Sequence, residues 1–141
     1  MNAFVWPVRV YYEDTDSGGV VYYANYLKFM ERARTEWLRV RGFEQDALLR
    51  DQQLLFAVRT LSVDYHRPAR FNDLLAVASR VVDARGASFL FAQTIQREVG
   101  AELLCSARVR VACIDAGTFR ARRIPRQLLR EIEGDRRCPM I

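Results

Sequence analysis

With 141 residues, half of them apolar, the chain has the size of one domain, residues 1–141, and enough apolar material to bury a core of its own. Its formal charge of +5 comes from 22 basic and 17 acidic residues that interleave along the sequence, which argues against a basic arm for nucleic acid. No apolar run approaches the ~20 residues needed to cross a bilayer, and the N-terminal MNAFVWPVRV has neither a basic leader nor a sustained apolar segment, so a soluble cytoplasmic protein is expected.

Residues 8 to 14, VRVYYED, set Val8, Val10 and Tyr12 against Arg9, Tyr11 and Glu13, the period of a half-buried strand that ends near Asp14. The DSGG that follows is turn chemistry. Tyr26, Phe29, Met30, Ala33, Trp37 and Val40 then form the apolar stripe of a helix of about four turns, with Asn25 as its N-cap and Gly42 as its stop. After a stretch without a clear period, LLFAVRTLSVDYHRPA reads as a long strand closed off by Pro68. LLAVASRVVDARGASFLFAQTIQRE reads as two strands around a turn at Arg85 and Gly86. ELLCSARVRVACIDA supplies a further strand, with Cys105, Ala107, Val109, Val111 and Cys113 on one face and Ser106, Arg108 and Arg110 on the other. RRIPRQLLREIE starts a short helix at Pro125, a favoured first helical position, with Leu128, Leu129 and Ile132 as its apolar stripe.

Strands joined by tight turns pair antiparallel, so this order predicts an α+β fold in which one long helix lies on one curved sheet. A single helix leaves apolar area and strand edges uncovered, and self-association is expected to cover them.

The side chains that carry chemistry are few. Cys105, Cys113 and Cys138 are odd in number and lack metal-ligand spacing, which predicts free thiols in a reducing compartment. His66 is the only histidine, so a histidine-rich metal site within one chain is excluded and a Ser-His-Asp triad would have to run through that ring. Lys28 is the only lysine. The remaining basic residues are arginines, whose planar fork suits phosphates and carboxylates, although genome composition would give the same excess.

The densest negative charge is Glu13, Asp14 and Asp16, just ahead of the long helix. As a calcium loop it fails, because Gly18 stands where a third oxygen ligand belongs and Asn25 where a bidentate glutamate should close the site. A phosphotransfer site would want a parallel α/β sheet. Glu13 and Asp14 are expected to form a solvated turn whose carboxylates accept from nearby amides. Asp16 differs: its glycine-containing loop leads to the helix start, where free N–H groups and the helix dipole favour negative charge.

The segment RVYYEDTDSGGVVYYANYLKFMERARTEWLR resembles the signature of hotdog-fold acyl-CoA thioesterases of the 4-hydroxybenzoyl-CoA type, most closely their bacterial Tol-Pal system-associated branch. VDYHRPAR, ARGASFLFAQTIQR and RRIP extend the likeness through most of the chain. The resemblance implies a hotdog fold, a long central helix wrapped by a curved antiparallel sheet of about five strands, with protomers joined edge to edge as dimers or dimers of dimers. It places the catalytic carboxylate of T-D-x-x-G-x-V on Asp16, the motif glycine on Gly19, and the oxyanion-holding backbone N–H on Tyr23. Many members of the Tol-Pal branch carry His where this chain has Tyr23, a change that a backbone donor survives.

No metal or organic cofactor is implied, and a histidine acid is dispensable because a thiol of pKa ~8.5 leaves as thiolate without a strong proton donor. Asp16 would attack the thioester carbonyl or act as general base on water. Tyr22, Tyr23 and Tyr26 are candidates to border an acyl channel and His66 to line the cleft, each against a plain structural role. Glu31 has a catalytic counterpart in a second hotdog lineage, yet beside Arg32 and Arg34 it reads as a solvated charge. Arg85, Arg120, Arg122 and Arg123 are candidates for the phosphates of coenzyme A. The same cationic surface could receive an acyl carrier protein, and a non-catalytic hotdog protein that binds such carriers or envelope partners is the alternative to an enzyme.

Overall fold

The computed structural model describes residues 3–137; Cys138 lies outside them. In chain order come β1 (Phe4–Arg9), a 3-10 turn (Tyr12–Asp14), α1 (Asn25–Val40), α2 (Gln45–Gln52), β2 (Leu54–Tyr65), β3 (Leu74–Arg85), β4 (Ser88–Arg97), β5 (Leu103–Asp115) and α3 (Arg126–Arg136). The five strands form one antiparallel sheet in the order β1-β3-β4-β5-β2, the α+β architecture that the strand order predicted and the hotdog arrangement that the resemblance implied.

The central helix forms for the expected reason. Tyr26, Phe29, Met30, Ala33 and Trp37 are buried on one stripe, and Trp37 meets Phe91 of the sheet edge-on at 5.2 Å between ring centroids. Removing a buried aromatic of this kind costs about 3–5 kcal/mol. Gly42 ends the helix with φ of 90°, a conformation that an L side chain adopts only at a cost. Val40 is 63% exposed, and Leu38 takes its place in the core. Deep in the sheet, Gln93 donates to the Met30 carbonyl at 3.0 Å and to Ser79 Oγ at 2.8 Å, which pins the middle of the helix to β3 and β4.

Two local expectations are corrected, and one stretch left without a reading is filled. The first strand is Phe4–Arg9 and not residues 8 to 14, because the chain turns into the 3-10 segment where the alternation seemed to continue; Tyr12 stacks on Phe71 at 3.8 Å instead of entering the core. The residue ahead of the last helix, Pro125, is its N-cap and not its first helical position. The stretch without a clear period holds α2, whose eight residues bury only Leu48.

The last helix closes a gap in the sheet. A bulge between Val81 and Asp83 interrupts the β3–β4 ladder, and the Val81 N–H donates to Asp135 Oδ2 at 2.6 Å. Asp135 also accepts from Arg41 at 3.0 Å, and that guanidinium lies 3.9 Å over the Trp37 ring. A buried carboxylate is tolerable here because a cation and a backbone donor both meet it.

The two sheet edges differ. β1 has six residues and carries Pro7, which cannot donate to a further strand. β2 has twelve, and Val58 through Ser62 are exposed in an unbroken run that includes Val58 and Leu61. An edge so long and open is a template for pairing.

Candidate active site

The acidic turn is built from Asp14 outward. Its side chain is 6% exposed, with Oδ2 accepting the Tyr11 N–H and Oδ1 accepting from Asn25 Nδ2, both at 2.9 Å. The Asp14 carbonyl accepts the Tyr22 N–H at 2.9 Å. Asp14 is therefore not solvated as expected. Asn25 is not an N-cap either: it is the first helical residue, Ala24 precedes it as the cap, and its amide reaches back to the turn. Together they clamp the two ends of the loop between them.

Above this clamp the chain makes a small hairpin. Thr15 bridges Val21, the Asp16 N–H donates to the Val20 carbonyl at 2.9 Å, and Gly19 turns the corner with φ of 79°. Asp16 stands exposed at the tip. Its Oδ1 accepts the Gly18 N–H at 2.8 Å, which fixes the carboxylate's direction, while Oδ2 has no donor among the described residues. Four residues past Gly19, the Tyr23 N–H precedes the first turn of α1 and likewise has no acceptor among the described residues.

The hairpin is held against residues from much later in the chain. Val20 bridges Arg70, the Val21 N–H donates to the Ala69 carbonyl at 2.9 Å, and the Tyr26 hydroxyl accepts the Ala69 N–H at 2.9 Å. Arg97 anchors this segment from below, paired with Asp73 and Glu102 and donating to the Pro68 carbonyl at 3.1 Å. The result is a recess of about 280 Å³ lined by Val21, Tyr23, Tyr26, Tyr65, His66 and Pro68 among others. The Tyr65 hydroxyl donates to the Tyr23 carbonyl at 2.9 Å, so the peptide that follows Tyr23 is held in place at the helix start. Burial pushes the Tyr26 and Tyr65 phenols above their ordinary range, and both act as neutral hydroxyls. His66 Nε2 lies 2.9 Å from Ser106 Oγ.

Of the residues singled out in the sequence, Asp16, Gly19, Tyr22, Tyr23 and His66 thus gather at one end of the sheet, with the Tyr22 and Tyr23 rings 4.8 Å apart. Tyr26 is core. Arg85 and Arg123 are at the other end: Arg85 closes the β3–β4 turn, paired with Asp83, and the Ile124 N–H beside Arg123 donates to the Gly86 carbonyl at 2.9 Å. Arg122 is committed to the Gln52 carbonyl at 2.6 Å. Within one chain these arginines stand about 30 Å from the recess, the length of the intervening strands. Glu31 is exposed and accepts the Thr35 hydroxyl at 2.7 Å, away from Asp16. Tyr65 went unremarked in the sequence, because nothing in a strand's alternation marks which hydroxyl will meet a helix start. No three His, Cys, Asp or Glu residues cluster for a metal among the described residues.

The model of the thioesterase-like superfamily matches residues 10–132. The acyl-CoA thioesterase YbgC of Haemophilus influenzae is 50% identical over 127 residues, covering 90% of this chain and 92% of the relative. The acyl-CoA thioester hydrolase YbgC of Escherichia coli O6:H1 is 46% identical over 132 residues, covering 92% and 96%. Among solved structures, a probable thioesterase from Bartonella henselae superposes with a TM-score of 0.81 at 38% identity, covering 86% of this chain and 98% of the other.

Proposed function

The chain belongs to the thioesterase-like superfamily, and from that premise we propose that it hydrolyses acyl-CoA thioesters at Asp16. The observation that carries the reading is an exposed carboxylate with one oxygen uncommitted, on a loop whose other end presents a free backbone N–H at a helix start. A carboxylate supplies either the nucleophile or the base for water, and the N–H meets the charge that develops on the carbonyl oxygen. A donor of that kind is typically worth roughly 2.7–4 kcal/mol in the transition state. The thiol leaves as thiolate, so no histidine acid is needed, and Tyr23 serves through its backbone where the related branch carries His.

The bare edge of β2 supports assembly as a dimer, or a dimer of dimers. Antiparallel pairing of β2 with its own copy about the strand's middle would set the Tyr65 end of one protomer beside the Leu54 end of its mate. The same pairing carries the end that holds Arg85 and Arg123 toward the mate's recess, where coenzyme A phosphates would meet them. The free thiols fit a cytoplasmic protein, and the Tol-Pal resemblance fits a role in envelope maintenance.

Thiol release from short, long and aromatic acyl-CoA esters, measured for the wild type and Asp16→Asn in parallel, tests the assignment. Turnover lost in a folded, still oligomeric variant supports both the reaction and the carboxylate. A wild type that releases thiol from neither acyl-CoA nor acyl carrier protein thioesters would sink the enzyme reading in favour of a binding protein.

A further inference from the structure

A second cavity, of about 240 Å³, lies between the helices and the β2 side of the sheet, away from Asp16. Leu38, Phe56, Phe89, Phe91 and Val111 make most of its wall apolar. Into that wall the middle of α1 brings one cation, Arg34.

Arg34 Nη1 donates to Gln93 Oε1 at 3.0 Å. Gln93 is 1% exposed and its amide nitrogen is already committed to Met30 and Ser79, so its oxygen can face only one way. The remaining guanidinium donors have no acceptor among the described residues, and no carboxylate there comes within ion-pair distance. The nearest acidic group, Glu31, holds the Thr35 hydroxyl, which in turn accepts the Gln45 amide at 3.0 Å; it belongs to the seam between α1 and α2 at the cavity's mouth. Burial pulls the Arg34 guanidinium below its ordinary value, though an arginine keeps its charge at any physiological pH. Glu31, which also lines the cavity, acts on this charge only through space, so a cation whose hydrogen-bond partner is neutral and whose walls are largely apolar keeps donors open to an anion.

Phe56, Ala57 and Val58 form the β2 side of the cavity's wall, and β2 is the strand along which we place a second copy, so in that pairing an acyl chain held at the mate's Asp16 would approach it across the seam. We propose that this cavity receives the far end of the acyl group and that Arg34 selects chains ending in a carboxylate, the mono-CoA thioesters of short dicarboxylic acids. The inference rests on thioester hydrolysis at Asp16. The apolar walls suit the intervening methylenes, and the guanidinium fork suits a terminal carboxylate through paired N–H···O bonds. An alkyl chain of the same length would strip water from the guanidinium and give nothing in return.

The test compares kcat/KM for glutaryl-, adipyl- and suberyl-CoA with the alkyl esters of equal length. The wild type is expected to favour the carboxylated member of at least one pair by about tenfold or more, the scale of one charge-assisted hydrogen bond. Arg34→Gln should bring that ratio close to one, with Arg34→Lys between them. The wild-type ratio stands even where a variant fails to fold, and equal or reversed ratios in the wild type overturn the proposal. Calorimetric binding of the uncleavable thioethers hexyl-CoA and 5-carboxypentyl-CoA separates the two readings. Tighter binding of the carboxylated thioether without release from any ester upholds the pocket and removes the hydrolase, whereas release without preference removes the pocket alone.

Discussion

Asp14 and Asp16 stand two residues apart in one loop and differ in how their carboxylates are occupied. At the base, Asp14 is buried with both carboxylate oxygens occupied by Tyr11 and Asn25. At the tip, Asp16 is exposed and spends one oxygen on the Gly18 N–H. The difference teaches that negative charge in a turn does not declare its use; the number of acceptor sites left open does. A saturated carboxylate holds structure, and an unsaturated one is available to a substrate.

The sharpest way to break this contrast is Asp16→Asn. Thiol release should fall by about 10²–10⁴, while the unfolding free energy moves by no more than about 0.5 kcal/mol, as for an exposed position. The base should respond in the reverse sense. Asp14→Ala leaves the Asn25 amide and the Tyr11 N–H without acceptors, and urea unfolding should register a loss of about 2–5 kcal/mol. Asn25→Ala strands only one oxygen of the buried carboxylate, for about 1.5–3 kcal/mol.

Gly19→Ala probes the corner between them. Nothing lies within 4 Å of the added Cβ, so the cost is backbone strain at φ of 79°, about 1–2 kcal/mol. Calorimetry should show a melting point lower by a few degrees, and kcat should drop because the corner aims Asp16. Smallest is the effect expected at the far end of the sheet. Arg85→Ala and Arg123→Ala should raise KM for acyl-CoA a few-fold at low salt with kcat unchanged, since they would touch only the phosphates.

How much of this was legible follows from the range of each interaction. The strands from Leu74 to Asp115 were readable because alternation repeats over about ten residues, as in β5, where Cys105 and Cys113 flank Val109 on the buried face, whereas β2 was readable only from its β-forming residues and the proline that closes it. Burial pushes both thiols up to about 12, in keeping with inert core cysteines. The long helix was readable from its stripe. α2 was not, since one buried leucine in eight residues leaves no period to detect. Tyr12 extended the apparent alternation of the first strand because its aromatic ring suits a strand and a surface stack on Phe71 equally well.

The site was legible in its local half. Asp16, Gly19 and Tyr23 fall within one short motif, and the family resemblance carried by that motif brought them forward as candidates. The burial of Asp14 depends on a partner eleven residues away, and the recess depends on Tyr65, His66 and Ala69, whose approach the fold alone arranges. Arg34 sat in plain view on the helix, but only its place in the cavity wall distinguishes it from its exposed neighbour Arg32.

The bulge at Val81 carries one more consequence. Its N–H is satisfied by a carboxylate 54 residues further along, on the last helix. During synthesis the middle of the sheet must therefore emerge with one hydrogen bond missing, and it stays so until Asp135 arrives from the ribosome. The order of translation thus makes the final helix the piece that licenses the completed sheet.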